Sequence, residues 1–138
     1  LNVPGIAGLR KACTLCLQQM QEESQRIAVQ RDRMEKELTQ LSRVVVNGNT
    51  PHRLPGVTNL SFAGITGNRL LTEINRTIAV SSGSACTSAN PEPSHVLKAM
   101  GLDDDLADSS IRFGLGRFTT DEEIVYTIDT VKQIVQDL

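Results

Sequence analysis

Two side chains carry the strongest chemical signal in this sequence, Cys86 and Arg112. Cys86 stands in Ser81-Ser82-Gly83-Ser84-Ala85-Cys86-Thr87-Ser88, directly after the apolar stretch Thr77-Ile78-Ala79-Val80. An inert structural cysteine usually sits among apolar neighbours, whereas this one is flanked by small polar residues. A thiol in such a loop is accessible, and nearby N–H groups or a cation can lower its pKa toward the nucleophilic thiolate. On the residues alone two readings stand: a reactive sulfur nucleophile, or an inert loop cysteine. Arg112 lies in Ser110-Ile111-Arg112-Phe113, which reads as a mostly buried strand. A guanidinium there requires an anionic partner. That partner is either an internal Asp or Glu, or the carboxylate of a ligand, which the planar fork of Arg clamps better than Lys.

Other candidates carry less. Arg117, in Gly114-Leu115-Gly116-Arg117-Phe118, falls near a turn and reads as a surface or structural residue. Cys13-Thr14-Leu15-Cys16 is a C-x-x-C pair inside a helical pattern. Redox pairs of this kind open a helix beside a strand, and zinc sites need a second pair, so two thiols packed on a helix face are expected. His52 and His95 stand apart from any acid or cysteine pattern and read as solvent or packing residues. Gly114-x-Gly116 is not a full G-x-G-x-x-G and gives no dinucleotide signal. Asp103-Asp104-Asp105 reads as a solvated acidic turn, and no metal site is expected.

The elements that must position these groups follow from periodicity. Pro4 and Gly5 open a helical stretch with apolar residues at Ile6, Leu9, Cys13, Leu17 and Met20, then Ile27, Met34, Leu38 and Leu41. Gln, Glu, Arg and Lys between them are good helix formers, so one helix of roughly 30 residues or more is expected. Residues 1–41 then form a long connecting helix and residues 42–138 a small α+β domain. Strands are expected at Arg43–Val46, Thr58–Phe62, Thr77–Val80 and Ser110–Phe113, and residues 81–92 read as a loop. Thr66 opens a short helix with Leu70, Leu71 and Ile74 on its apolar face, and a second runs from Pro93 to Met100, closed by Gly101. Thr120 and Glu123 form a capping box ahead of a helix that buries Ile124, Ile128, Val131 and Val135. The order α-β-β-α-β-α-β-α gives a small sheet with helices on one face.

The composition narrows the function classes. The chain has 138 residues, the size of one domain. Fourteen basic residues against 16 acidic ones leave a net charge of −2, so there is no electrostatic case for nucleic acid or an anionic membrane. The aromatic residues Phe62, Phe113, Phe118 and Tyr126 offer no base-stacking platform. No apolar run of about 18 residues is present, so no transmembrane helix is expected. No signal peptide is visible. An odd cysteine count of 3 suits reduced intracellular thiols. The first residue is Leu1 rather than Met, so the chain is expected to be part of a longer polypeptide.

At Ser81–Ser88 the sequence resembles the active-site loop of group I cysteine desulfurases, the NifS/IscS type. Asn90-Pro91-Glu92-Pro93-Ser94-His95-Val96-Leu97-Lys98-Ala99-Met100-Gly101 is similar to the segment that follows in that family. Ser109-Ser110-Ile111-Arg112-Phe113-Gly114-Leu115-Gly116-Arg117-Phe118-Thr119-Thr120 is similar to its next block, and Leu1-Asn2-Val3-Pro4-Gly5-Ile6 resembles a further stretch. The long helix is only compatible with the resemblance. The fold it implies is the C-terminal small domain of the pyridoxal-phosphate-dependent aspartate-aminotransferase fold, fold type I. The activity it implies is conversion of L-cysteine to L-alanine by a homodimer, in the cytoplasm or an organelle of bacterial origin. Carried over to this sequence, Cys86 takes the sulfur as a persulfide and Arg112 holds the substrate carboxylate. Ser82, Gly83, Ser84, Ala85, Thr87 and Ser88 form the active-site loop. The sulfur then passes to an iron–sulfur scaffold or another acceptor protein, and to tRNA thiolation. The family's cofactor lysine, ring-stacking histidine and pyridine-pairing aspartate are expected upstream, because Lys11, Lys36, Lys98 and Lys132 stand in no Ser-x-His-Lys context. The chain alone is therefore expected to be inactive. The alternative is a non-catalytic sulfur-carrier or scaffold-binding module, which shares Cys86 but has no carboxylate for Arg112 to hold. A thiol-redox protein acting through Cys13 and Cys16 is the third and weakest reading.

Overall fold

The computed structural model describes residues 1–82 and 93–138. The elements are α1 (Val3–Leu38), β1 (Val44–Val46), β2 (Val57–Phe62), α2 (Gly67–Ile74), β3 (Ser81–Ser82), α3 (His95–Ala99), α4 (Asp104–Asp108), β4 (Ser110–Gly114) and α5 (Asp121–Asp137). The strands form a sheet in the order β1-β2-β4-β3, and each neighbouring pair is antiparallel. It is a small antiparallel sheet with helices, preceded by a long helix.

The 36-residue α1 starts where the sequence directs it. Asn2 Oδ1 accepts from Gly5 N at 3.1 Å, and Pro4 sits in the first turn, where its missing N–H costs nothing. The apolar pattern thins after Met20 and resumes at Ile27. The structure divides at the same place: Ile27, Met34 and Leu38 are buried, while Val3, Ile6, Leu9, Leu17 and Met20 are exposed. Cys13 and Cys16 lie in the exposed part as free thiols. They are therefore not packed on a helix face as expected, because nothing described covers that stretch of α1.

The core lies between one sheet face and α1, α2 and α5. It gathers Met34 and Leu38 from α1, Leu60 and Phe62 from β2, Leu70 and Ile74 from α2, Ile111 and Phe113 from β4, and Ile124, Ile128 and Val131 from α5. The capping box of α5 is present: Thr120 Oγ1 accepts from Glu123 N, and Glu123 Oε2 accepts from Thr120 N. The segment from 47 to 56 is pinned to α1 by ions. Buried Arg31 donates to the carbonyls of Leu54 and Pro55 at 3.0 and 3.1 Å. Arg53 grips Glu35, with one contact at 2.7 Å, and this hydrogen bonding raises the Arg53 pKa above its ordinary value.

Three local expectations change. Thr77–Val80 is not a strand, because Ile78 N donates to Ile74 O and Val80 N to Asn75 Oδ1, which ties this segment to the end of α2. The strand starts at Ser81 instead, the first residue paired with β4. The acidic run 103–105 is not a plain solvated turn. Asp103 Oδ1 accepts from Leu106 N at 2.8 Å and so caps α4, the kind of local bond Asp offers a helix start. Thr66 makes no side-chain cap on α2; Asp108 Oδ2 accepts from Gly67 N at 3.0 Å in its place. Only a glycine fits there, since a Cβ on residue 67 would fall 2.0 Å from Asp108 O.

Candidate active site

Strand alternation decides where Arg112 goes. Ile111 and Phe113 are buried in the core, so the residue between them must face the opposite way. Arg112 is accordingly exposed. The expectation of a mostly buried guanidinium is thus corrected. Among the described residues Arg112 forms no ion pair, and its hydrogen bond runs from Nε to Ser81 Oγ at 3.1 Å. The two Nη groups have no partner among those residues, a chemistry suited to an anion brought from outside.

The register builds a polar row around it. Arg112 stands directly opposite Asn59 on β2 and opposite Ser81 on β3. Asn47, the residue after β1, continues the row: its N donates to Asn59 O at 2.9 Å. Asn47, Asn59, Arg112 and Ser81 therefore cross the whole sheet on its non-core face. Directly opposite residues on one face have Cβ atoms about 5 Å apart, so such a row acts as one surface. Asn47 Nδ2 donates to Asn59 Oδ1 at 2.6 Å and to Ser61 Oγ at 2.7 Å. Ser61 Oγ donates to Leu106 O at 2.6 Å, which brings α4 against this face at one end. Asn47, Asn59 and Ser61 were not singled out from the sequence. The signal was there in β2, where Asn59 and Ser61 alternate with Leu60 and Phe62.

The turn that follows β4 is fastened to α1. Arg26 donates to Arg117 O at 2.7 Å and Thr119 O at 3.0 Å, and Gln30 donates to Asp121 Oδ1 at 2.9 Å. Arg117 itself pairs with Glu23, with a nearest contact of 2.6 Å. These bonds hold the far end of the strand that presents Arg112. Gly56 makes the same end close-fitting, because a Cβ there would meet Leu115 O at 2.4 Å.

The remaining candidates fall elsewhere. Cys86, with Gly83, Ser84, Ala85, Thr87 and Ser88, lies outside the described residues. Ser82 is described, half-buried on β3 and opposite Ile111. His52 and His95 are exposed. Among the described residues no group of His, Cys, Asp and Glu could hold a metal ion, and no helix is long and apolar enough to cross a membrane. Lys132 pairs with Glu37 at 2.7 Å, and that hydrogen bond holds the Glu37 carboxyl below its ordinary pKa. Lys98 pairs with Asp104 at 2.7 Å, while Lys11 and Lys36 are exposed on α1.

The small antiparallel sheet thus backs onto a long helix and shows an exposed arginine on its open face. Residues 1–126 match the aminotransferase class-V family, and the chain belongs to it. Its relatives include the cysteine desulfurase IscS of Anaeromyxobacter dehalogenans, 50% identical over 139 residues, a match covering 100% of this chain and 34% of that protein. The cysteine desulfurase of Homo sapiens is 48% identical over 136 residues, covering 98% of this chain and 30% of the human protein. Among solved structures, a NifS-like protein superposes with a TM-score of 0.84 at 27% identity, over 100% of this chain and 35% of that one. The NifS-like protein of Rickettsia africae gives 0.83 at 30% identity, over 99% and 35%. The chain thus spans about a third of the length of the relatives it matches.

The class depends on pyridoxal phosphate, which it binds through a lysine. The lysines of this chain are all committed or set apart from the sheet face. Two are held in ion pairs, and the other two stand on the exposed surface of α1, away from the polar row on the sheet.

Proposed function

We propose that this chain is the substrate-holding and sulfur-carrying part of a cysteine desulfurase, which converts L-cysteine to L-alanine and keeps the sulfur as a persulfide on Cys86. The observation that carries the reading is Arg112, exposed on a donor-rich sheet face with both Nη groups unpartnered among the described residues. Its support comes from desulfurase relatives at about half identity along the chain.

Each residue has a defined task in this reading. Arg112 binds the substrate carboxylate through paired N–H donors and so orients the substrate. Cys86 follows Ser81, the strand partner of Arg112, by five residues, a span of at most about 18 Å of chain. As a thiolate it attacks the sulfur of L-cysteine. An S–S bond forms and the C–S bond breaks. The electron pair of that bond goes to the substrate carbon, which takes a proton and leaves as L-alanine. The sulfur is oxidised and the carbon reduced, so no outside oxidant is required. The sulfur then passes from Cys86, among the small residues Ser82, Gly83, Ser84, Ala85, Thr87 and Ser88, to an acceptor protein such as an iron–sulfur scaffold. The cofactor and its lysine belong to sequence beyond this chain, in a longer polypeptide that acts as a cytoplasmic homodimer.

The test is Cys86→Ser in the complete enzyme. Persulfide and L-alanine formation should fall to background while L-cysteine still binds. Undiminished alanine formation would remove Cys86 from the nucleophile role.

A further inference from the structure

The polar row holds more information than Arg112. Leu106 O is a carbonyl and can only accept, so the hydroxyl proton of Ser61 is committed to it at 2.6 Å. Ser61 Oγ must therefore accept from Asn47, and the Asn47 atom 2.7 Å away must be its NH2 group. The same NH2 group lies 2.6 Å from the Asn59 side chain, so the Asn59 atom facing it must be the carbonyl oxygen. One backbone carbonyl thus fixes two amide orientations by hydrogen-bond direction alone. The consequence falls on Asn59. Its oxygen is engaged by Asn47, on the β1 side, so the NH2 is the end left for a ligand. Arg112 is the β4 residue directly opposite. Asn59 Nδ2 has no partner among the described residues, and neither do the Nη groups of Arg112. The middle of the row therefore offers only donors.

We propose that Asn59 is a second, uncharged ligand for the carboxylate that Arg112 binds, and that Asn47 is the positioning residue that turns its amide toward that carboxylate. The proposal rests on the desulfurase reading for the identity of the ligand. A carboxylate has two oxygens, and a guanidinium beside an amide gives each its own donor. The arrangement also has a specificity consequence. An α-amino acid satisfies the Asn59 donor, while an analogue lacking the carboxylate leaves it unpaired.

The test is steady-state kinetics of the complete enzyme, with Asn59→Ala, Asn59→Asp and Asn47→Ala compared with wild type. Asn59→Ala should raise KM for L-cysteine about tenfold with little change in kcat, the effect of one lost hydrogen bond to a charged group. Asn59→Asp keeps the bond to Asn47 but sets a second carboxylate beside Arg112, and should raise KM further. Asn47→Ala frees the amide to turn and should raise KM about threefold, a smaller effect than losing the donor. Inhibition by L-alanine should weaken in parallel, while inhibition by L-alaninamide, which lacks the carboxylate, should not change. An unchanged KM in both Asn59 variants, with Arg112→Ala still raising it, would overturn the role of Asn59 and leave the function standing. Equal loss of L-alanine and L-alaninamide inhibition would overturn it as a structural disturbance. A wild-type enzyme that forms no alanine from L-cysteine would overturn the functional reading first, and this assignment with it.

Discussion

The two faces of the sheet are made from alternate residues of the same strands, yet they do different work. Toward the helices, Leu60, Phe62, Ile111 and Phe113 are at most 3% exposed and belong to the core. On the other face, Asn59 and Arg112 occupy the positions between them and meet solvent. Packing decides what the first face tolerates, since every methylene there has neighbours on all sides. Hydrogen-bond direction decides the second, since each donor and acceptor is either used internally or left for a ligand. The lesson is that period 2 lets a very short strand carry stability and chemistry at once. Substitutions on the two faces should therefore separate cleanly into effects on folding and effects on substrate.

The largest effect is expected on the core face. Phe62 is 1% exposed at the centre of the cluster. Phe62→Ala should destabilise the chain by about 3–5 kcal/mol, the sum of lost transfer energy and an unfilled cavity. Chemical denaturation measures it. A loss below about 1 kcal/mol would mean that the core is loosely packed and the contrast between faces weak.

Next comes Arg112, one strand away on the opposite face. Arg112→Ala should change stability by less than about 0.5 kcal/mol, because the side chain is exposed and gives up one hydrogen bond to Ser81. In the complete enzyme it should weaken L-cysteine binding by about 2–5 kcal/mol, read as KM. An unchanged KM would refute the clamp and favour a sulfur carrier that needs no carboxylate site. Loss of folding instead would show that the two faces are not separable.

The same contrast marks what was legible in the sequence. Elements whose signal is local were readable: the Thr120–Glu123 capping box, the Ile124–Ile128–Val131 stripe, the alternation in β2, and the long helical composition of α1. Elements fixed by distant partners were not. β3 is two serines with no strand propensity, and it is a strand only because β4 supplies the ladder. The β-branched run Thr77–Val80 looked like the strand, but Asn75 captures its backbone. Arg112 was recognised as a residue needing an anion, but its exposure follows from which face of the sheet the helices cover. The polar row could not be assembled without the order β1-β2-β4-β3, since Ser81 and Arg112 are 31 residues apart and meet only across the sheet. Cys86 shows the reverse case. Its chemistry is argued wholly from its neighbours in sequence, and the described residues add only the strand that leads to it.

Ser61 offers the smallest effect and the sharpest test, because it belongs to both regimes. It lies on the polar face yet is fully buried, because α4 closes over it. Ser61→Ala removes a donor from Leu106 O and an acceptor from Asn47 Nδ2 in one step. The carbonyl loses its short partner and keeps only Ser109 Oγ at 3.4 Å, and the Asn47 amide loses its acceptor, which together should cost about 1–3 kcal/mol, less than the Phe62 cavity. The functional effect should be smaller still. With Ser61 gone, nothing dictates which end of the Asn47 amide meets Asn59, so both amides can turn together and still share a hydrogen bond. Half of that population would show Asn59 Oδ1 rather than Nδ2 to the substrate carboxylate, which corresponds to about a twofold rise in KM with kcat unchanged. A stability loss with no change in KM would mean that the Asn59 orientation is held by something other than Ser61. A KM rise as large as that of Asn59→Ala would mean that the direction imposed by this one hydroxyl governs the whole donor row.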